Sequence, residues 1–97
     1  MRAAGGLNGR SARMQVTLKL YATLADYLPA AARREHAVRL DVPSATTIDE
    51  LTTPFNLPAK LTHLVLVNGV YVAREQRGSH RLTEGDVVAI WPPIAGG

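Results

Sequence analysis

The residues best placed to do chemistry close the chain, in Trp91-Pro92-Pro93-Ile94-Ala95-Gly96-Gly97. They follow Val87-Val88-Ala89-Ile90-Trp91, an apolar, β-branched run with the length and composition of a strand. Neither proline can donate to a sheet ladder and each fixes φ, so Pro92-Pro93 ends the strand and favours an extended exit. The stretch from Pro92 to Gly97 reaches roughly 20 Å when extended, at about 3.3 Å per residue. Glycine has no Cβ, so the tip lets another protein's groups approach the main chain closely and suits a narrow channel. Frayed termini carry glycines too, but a frayed end has no use for a stiff join to a strand. The reactive group on offer is the carboxylate of Gly97, with Gly96 giving access to it.

No other constellation competes with it. His36, His63 and His80 are scattered along the sequence. Asp49 and Glu50 fall in Thr47-Ile48-Asp49-Glu50, which has the form of a capping box and reads as a helix start rather than an acid/base pair. Ser44 and Ser79 lie in loops without an adjacent base. The chain has no cysteine, which excludes a disulfide framework, a thiolate metal site and a cysteine nucleophile. The patterns of zinc proteases, phosphate-binding loops and dinucleotide-binding folds are missing from the sequence. No metal and no intrinsic cofactor are expected, and the chain is not expected to catalyse alone. A carboxylate is a poor electrophile, so its use requires a partner that activates it.

The run Gly85-Asp86-Val87-Val88-Ala89-Ile90-Trp91-Pro92-Pro93-Ile94-Ala95-Gly96-Gly97 resembles the C-terminus of the MoaD/ThiS group of ubiquitin-like sulfur carriers, closest to MoaD, the small subunit of molybdopterin synthase. The likeness extends through Val67-Asn68-Gly69 and back to Val16–Leu28. It implies an α+β, ubiquitin-like β-grasp fold: a mixed sheet packed on one main helix, with first and last strands parallel at its centre and a flexible Gly-Gly tail. It also implies a reaction sequence. A MoeB-like adenylating enzyme, using ATP and Mg²⁺, activates Gly97 as an acyl-adenylate, and sulfur from a donor enzyme replaces AMP to leave a thiocarboxylate. A MoaE-like large subunit then receives the tail, and two transfers build the dithiolene of molybdopterin. Tyr21, Tyr71 and Trp91 match positions where such proteins carry an exposed apolar patch. With Pro92, Pro93, Ile94 and Ala95 they form the expected partner-binding surface, although each aromatic could instead belong to the core. A ThiS-like carrier for the thiazole of thiamine shares the Gly-Gly but usually lacks Pro-Pro. A ubiquitin-like modifier joined to lysines through Gly97 uses the same activated tail. A plain β-grasp interaction domain is the remaining alternative.

The bulk properties fit a small folded domain. At 97 residues, 46% hydrophobic and 20% charged, the chain can bury one modest core and is too apolar for wholesale disorder. Nothing in it is long and apolar enough to span a membrane, and no segment reads as a signal peptide, so a soluble, cytoplasmic location is expected. The net charge of +3 comes from Arg2, Arg10 and Arg13. From Met14 onward, acids and bases balance and no basic stripe remains, which argues against nucleic acid.

The elements that position the tail can be read in order. Residues 1–13 carry three glycines and no periodicity, and are expected to be a flexible extension. The domain proper is expected over 14–91 and the tail over 92–97. Gln15–Tyr21 alternates, with Val16, Leu18 and Leu20 on one face, and predicts the first strand. Ala22–Arg34 carries Leu24, Ala25, Leu28 and Ala32 on a helical stripe interrupted by Pro29, which predicts a short helix or two pieces. His36–Val42 predicts a second strand. A helix starts at Thr47 and is cut short by Pro54, leaving Phe55 and Leu57 to fill the gap. Leu64–Val67, the Asn68-Gly69 turn and Val70–Val72 predict a hairpin. Arg74–His80 reads as a polar loop, and Thr83–Asp86 as a turn into the last strand.

Overall fold

The computed structural model describes residues 12–93. Its scaffold is one five-stranded sheet, from β1 (Arg13–Leu20) and β2 (Ala37–Pro43) to β3 (Leu64–Val67), β4 (Val70–Tyr71) and β5 (Val87–Trp91), in the spatial order β2-β1-β5-β3-β4. Only β1 and β5 run parallel, with Leu18 beside Val88 and Leu20 beside Ile90. The other three pairings are antiparallel. This is the mixed β-grasp sheet that the tail motif implies, with its first and last strands adjacent.

Alternation along each strand decides which side is the core. Met14, Val16, Leu18 and Leu20 of β1, Val65 and Val67 of β3, and Val88 and Ile90 of β5 are all buried on one face. Leu24, Ala25 and Leu28 pack onto that face from the connection after β1. The connection does form two pieces, over Ala22–Tyr27 and Ala30–Glu35, split at Leu28-Pro29. Both are 3₁₀ rather than α. Pro29 has no N–H to extend the first piece, and short 3₁₀ turns are what such a break permits.

The single α-helix among the described residues, α1 (Ile48–Thr52), begins at the predicted capping box. The Thr47 hydroxyl accepts from Glu50 N–H at 3.2 Å, and the Glu50 carboxylate accepts from Thr47 N–H at 3.0 Å. It is only five residues long and tightens into 3₁₀ over Thr53–Phe55, ahead of Asn56 at φ 54°. Thr52 and Thr53 hydroxyls bond back to Ile48 and Asp49 carbonyls, taking the acceptors a longer helix would have used. Ile48 and Leu51 reach the core, while Phe55, Leu57 and Leu61 lie half-buried against it. The helical layer is therefore thin, and Val38, Leu40 and Val42 of β2 are left half-covered.

The Asn68-Gly69 turn joins β3 to β4 with both residues at positive φ, 52° and 84°, the geometry of a tight hairpin. Asn68 does more than turn. Its N–H donates to Val87 O at 2.8 Å, its Oδ1 accepts from Val87 N–H at 2.9 Å, and its Nδ2 donates to Asp86 Oδ1 at 2.8 Å. Asp86 also accepts from Thr83 N–H at 2.9 Å and from the Thr83 hydroxyl at 3.2 Å. Gly85, at φ 84°, donates to Gln15 O at 2.7 Å. The Gly85-Asp86 pair is thus the knot that starts β5 against both β1 and the hairpin.

Burial of Asp86 works to raise its pKa, but the bonds from Thr83 and Asn68, with His80 nearby, outweigh it and hold the carboxyl below its usual range. A depressed folded pKa gives stability that is complete above the unfolded value of 3.8 and is lost as pH falls through the folded value. Asp86→Asn should cost about 2 kcal/mol at neutral pH. It should also flatten the loss of stability below pH 3.8 that the parent chain shows, which denaturant titrations at neutral and acid pH would measure.

Candidate functional site

The residues around the root of the tail lie on the sheet face opposite the core. Register alone assembles this face: Leu64 is opposite Trp91, and Leu66 is opposite both Ala89 and Tyr71. Leu64 and Leu66 are half-buried, and Tyr71, at the end of the short edge strand β4, is 59% exposed. Alternation that sends Val88 and Ile90 inward sends Ala89 and Trp91 to this side.

Trp91 ends the last strand as one member of an aromatic ladder. Its ring lies parallel to that of Tyr21, with centroids 4.4 Å apart and planes 7° apart. Tyr21 in turn stacks on His36 at 5.9 Å and 16°. Stacking of this kind is worth about 0.5–1.5 kcal/mol beyond area burial. The left-handed backbone at His36, φ 59°, ends the second 3₁₀ turn and brings its ring over Tyr21. His36 Nδ1 is buried with no hydrogen-bond partner among the described residues.

The main chain is held as firmly as the rings. Tyr21 N–H donates to Ile90 O, and His63 N–H donates to Trp91 O, both at 3.1 Å. These are the last ladder bonds before Pro92, which has no N–H to offer. Both flanks of β5 are therefore engaged up to the residue from which the tail departs. Beside that point His63, Leu64, Trp91 and Pro92 border an apolar hollow of about 320 Å³. Pro92 is half-buried and Pro93 exposed. Ile94, Ala95, Gly96 and Gly97 lie outside the described residues.

Behind the His63 contact stands Arg77, in the segment whose composition predicts a polar loop. Arg77 is 5% exposed and donates from Nη1 to Thr62 O at 2.8 Å and from Nη2 to His63 O at 3.1 Å. Arg74 adds a second guanidinium to Thr62 O at 3.1 Å. Burial, followed by the repulsion of Arg74, lowers the Arg77 pKa against the opposing pull of Asp49. Arg77 fixes the Thr62-His63 carbonyls, and the His63 N–H fixes Trp91. No sequence signal marks this role, because Arg74–His80 has no period and the partners of Arg77 are main-chain carbonyls.

The structure thus brings Tyr21, Trp91 and Pro92 together and places Tyr71 on the same face, one cross-strand row away. What such a surface can do is present and recognise. It offers rigid aromatic and apolar area beside a strand end, the composition that suits a protein interface.

A model of the ThiS family matches residues 18–97. The fold is similar to that of the Haloferax volcanii HVO 2177 protein, with a TM-score of 0.67, 23% identity and 88% of each chain covered. It is also similar to SAMP1 from Haloferax volcanii, with a TM-score of 0.58, 27% identity, and 86% of this chain and 99% of that one covered. A putative molybdopterin converting factor, subunit 1, from Pyrococcus furiosus has a TM-score of 0.55 at 18% identity, over 84% of this chain and 99% of that one. A sequence comparison with curated proteins finds no match.

The chain's single tryptophan makes the ladder directly observable. Tyr21→Ala should uncover Trp91, shift its emission to the red and cost about 1 kcal/mol beyond the lost area. Arg77→Met takes the guanidinium from His63 O and leaves Thr62 O with Arg74 alone, and should cost about 1–3 kcal/mol, with a smaller red shift that reports loosening of the His63 contact.

Proposed function

The chain belongs to the ThiS family, and on that footing we propose that it is a sulfur carrier for molybdopterin, with the Gly97 carboxylate as its working group. The family membership makes it a small ubiquitin-like carrier protein that is not itself an enzyme. The observation that favours the molybdopterin branch is the exit of the tail. Trp91 is clamped on both flanks and followed at once by Pro92-Pro93, which ThiS-like carriers for thiazole usually lack.

The chemistry follows from what a carboxylate needs. A carboxylate oxygen of Gly97 attacks the α-phosphorus of ATP on a MoeB-like enzyme, and pyrophosphate leaves with the Mg²⁺ that enzyme holds. A sulfide equivalent from a donor enzyme attacks the acyl carbon, AMP leaves with the electron pair, and a thiocarboxylate remains. A MoaE-like large subunit then takes the tail into its own site, and the thiocarboxylate supplies one sulfur of the dithiolene per visit. This chain contributes reach, a stiff root and the aromatic face on which both partners dock. A second reading is supported by the similarity to SAMP1, a small archaeal modifier protein by name. In that reading a lysine amine replaces sulfide at the acyl carbon, and an isopeptide forms.

The two readings part at the acceptor. Thiocarboxylated chain mixed with a MoaE-like subunit and the cyclic pyranopterin precursor should yield dithiolene and return Gly97 as a carboxylate. Trp91→Ala should weaken capture by the large subunit by about 2 kcal/mol while leaving the domain folded. Isopeptide-linked products without dithiolene would favour the modifier reading instead.

A further inference from the structure

Strand β2 borders the sheet, and among the described residues only one of its sides is taken. Leu20 N–H donates to His36 O, and Ser44 N–H to Ala12 O. With a continuous register between these points, Val38, Leu40 and Val42 hold the positions bonded to β1, and the N–H and C=O groups of Ala37, Arg39 and Asp41 face outward. Asp41 O accepts from Arg13 Nη2 at 2.8 Å, and Pro43 closes the run with no N–H. Among the described residues the main-chain groups of Ala37 and Arg39 have no partner. Edges of this kind are usually blunted by bulges, brevity or a covering element. Here the paired run is unbroken, and the helical layer is too short to cover it.

The side chains say what would fit. On the core side, Val38, Leu40 and Val42 are half-buried apolar groups in alternate positions. On the other side Arg39 is exposed and Lys19 sits beside Ala37 in the register. Arg34 and Glu35 are exposed just before the strand, and the charge of Asp41 is matched by Arg13 at 3.6 Å. The edge therefore has a basic surplus on one face, from Arg39 and Lys19, and on the other an apolar stripe that repeats at every second residue.

We propose that the free edge of β2 receives an extended segment of a partner protein in which apolar and acidic residues alternate, adding a sixth strand to the sheet. The main chain of the guest meets Ala37 and Arg39, its apolar side chains extend the Val38–Leu40–Val42 stripe, and its acids face Arg39, Lys19 and Arg34. Because β2 is two strands from β5, about 10 Å away, a guest docked there leaves Trp91 and the tail root free. The proposal does not depend on what the tail carries.

The test is an amide-resolved NMR titration of the full chain with a capped peptide of alternating glutamate and valine, beside a peptide of the same composition in two blocks. The alternating peptide should perturb the amides of Ala37, Arg39 and Asp41 and slow their solvent exchange, and the block peptide should not. Arg39→Pro removes one outward N–H without touching the ladder to β1 and should weaken binding about tenfold. Arg39→Glu keeps that N–H and should weaken binding about fivefold, with loss of its salt dependence. Either variant counts only if its amide dispersion and Trp91 emission match the parent chain, and Arg39→Glu is the safer of the two. The proposal is overturned if perturbations centre on Leu66, Tyr71 and Trp91, or if both peptides bind alike. It is equally overturned by unchanged binding of Arg39→Glu or by no binding at all. Protection of β2 amides that depends on protein concentration without peptide would assign the edge to a second copy, and would also overturn it.

Discussion

The root of the tail depends on how β5 is held at its last residue. A strand followed by two prolines has no further ladder bonds to give, so its end would fray unless the residues before the prolines were secured from both sides. The parallel neighbour β1 supplies Tyr21 N–H to Ile90 O, and the antiparallel neighbour β3 is preceded by His63, whose N–H takes Trp91 O. The ring of Tyr21 then lies flat on that of Trp91. Main chain and side chain thus converge on one point, and the direction in which Pro92 leaves is set there.

That point is reached through two supports at opposite ends of β5. At its start, Asp86 and Asn68 bind the first residues of the strand to the hairpin turn, and Gly85 ties it to β1. At its end, Arg77 holds the carbonyls on either side of the His63 contact from inside the molecule. Both devices use buried charged groups, Arg77 bonded to main-chain carbonyls and Asp86 to one main-chain N–H and two side chains, an arrangement that is costly to break because each lost partner leaves a desolvated atom behind. The thin helical layer sets the opposite tone along β2, where half-covered apolar groups and a free edge remain. The centre of the sheet is built to hold a strand end still, and its β2 border is open among the described residues.

Much of this was legible in the sequence, because period-2 alternation and turn chemistry carry the strands. Val16, Leu18 and Leu20 are buried as their spacing predicts, the Asn68-Gly69 turn closes where it should, and the Thr47–Glu50 capping box forms. The first strand nonetheless begins at Arg13 rather than Gln15, because pairing with Pro43 extends it. The connection after β1 takes 3₁₀ geometry, which residue periodicity does not separate from a short α-helix. Leu82 is fully buried although no pattern surrounds it, since its place comes from a backbone bond to Thr46. Arg77 and the Tyr21–Trp91 stack were invisible for the same reason: each is a contact between residues far apart in sequence, set by the order of strands. The tail motif was readable from its residue types, whereas the clamp behind it required the sheet.

The most direct measurement is the intact mass of the chain after incubation with a MoeB-like adenylating enzyme, Mg-ATP and a sulfur donor, beside a chain lacking Gly96 and Gly97. The expected result is replacement of one oxygen by one sulfur, in the full-length chain alone, with Trp91 emission the same in both proteins. An unchanged mass for the folded full-length chain, under conditions where the enzyme loads a known carrier, would contradict the assignment of the chemistry to the Gly97 carboxylate.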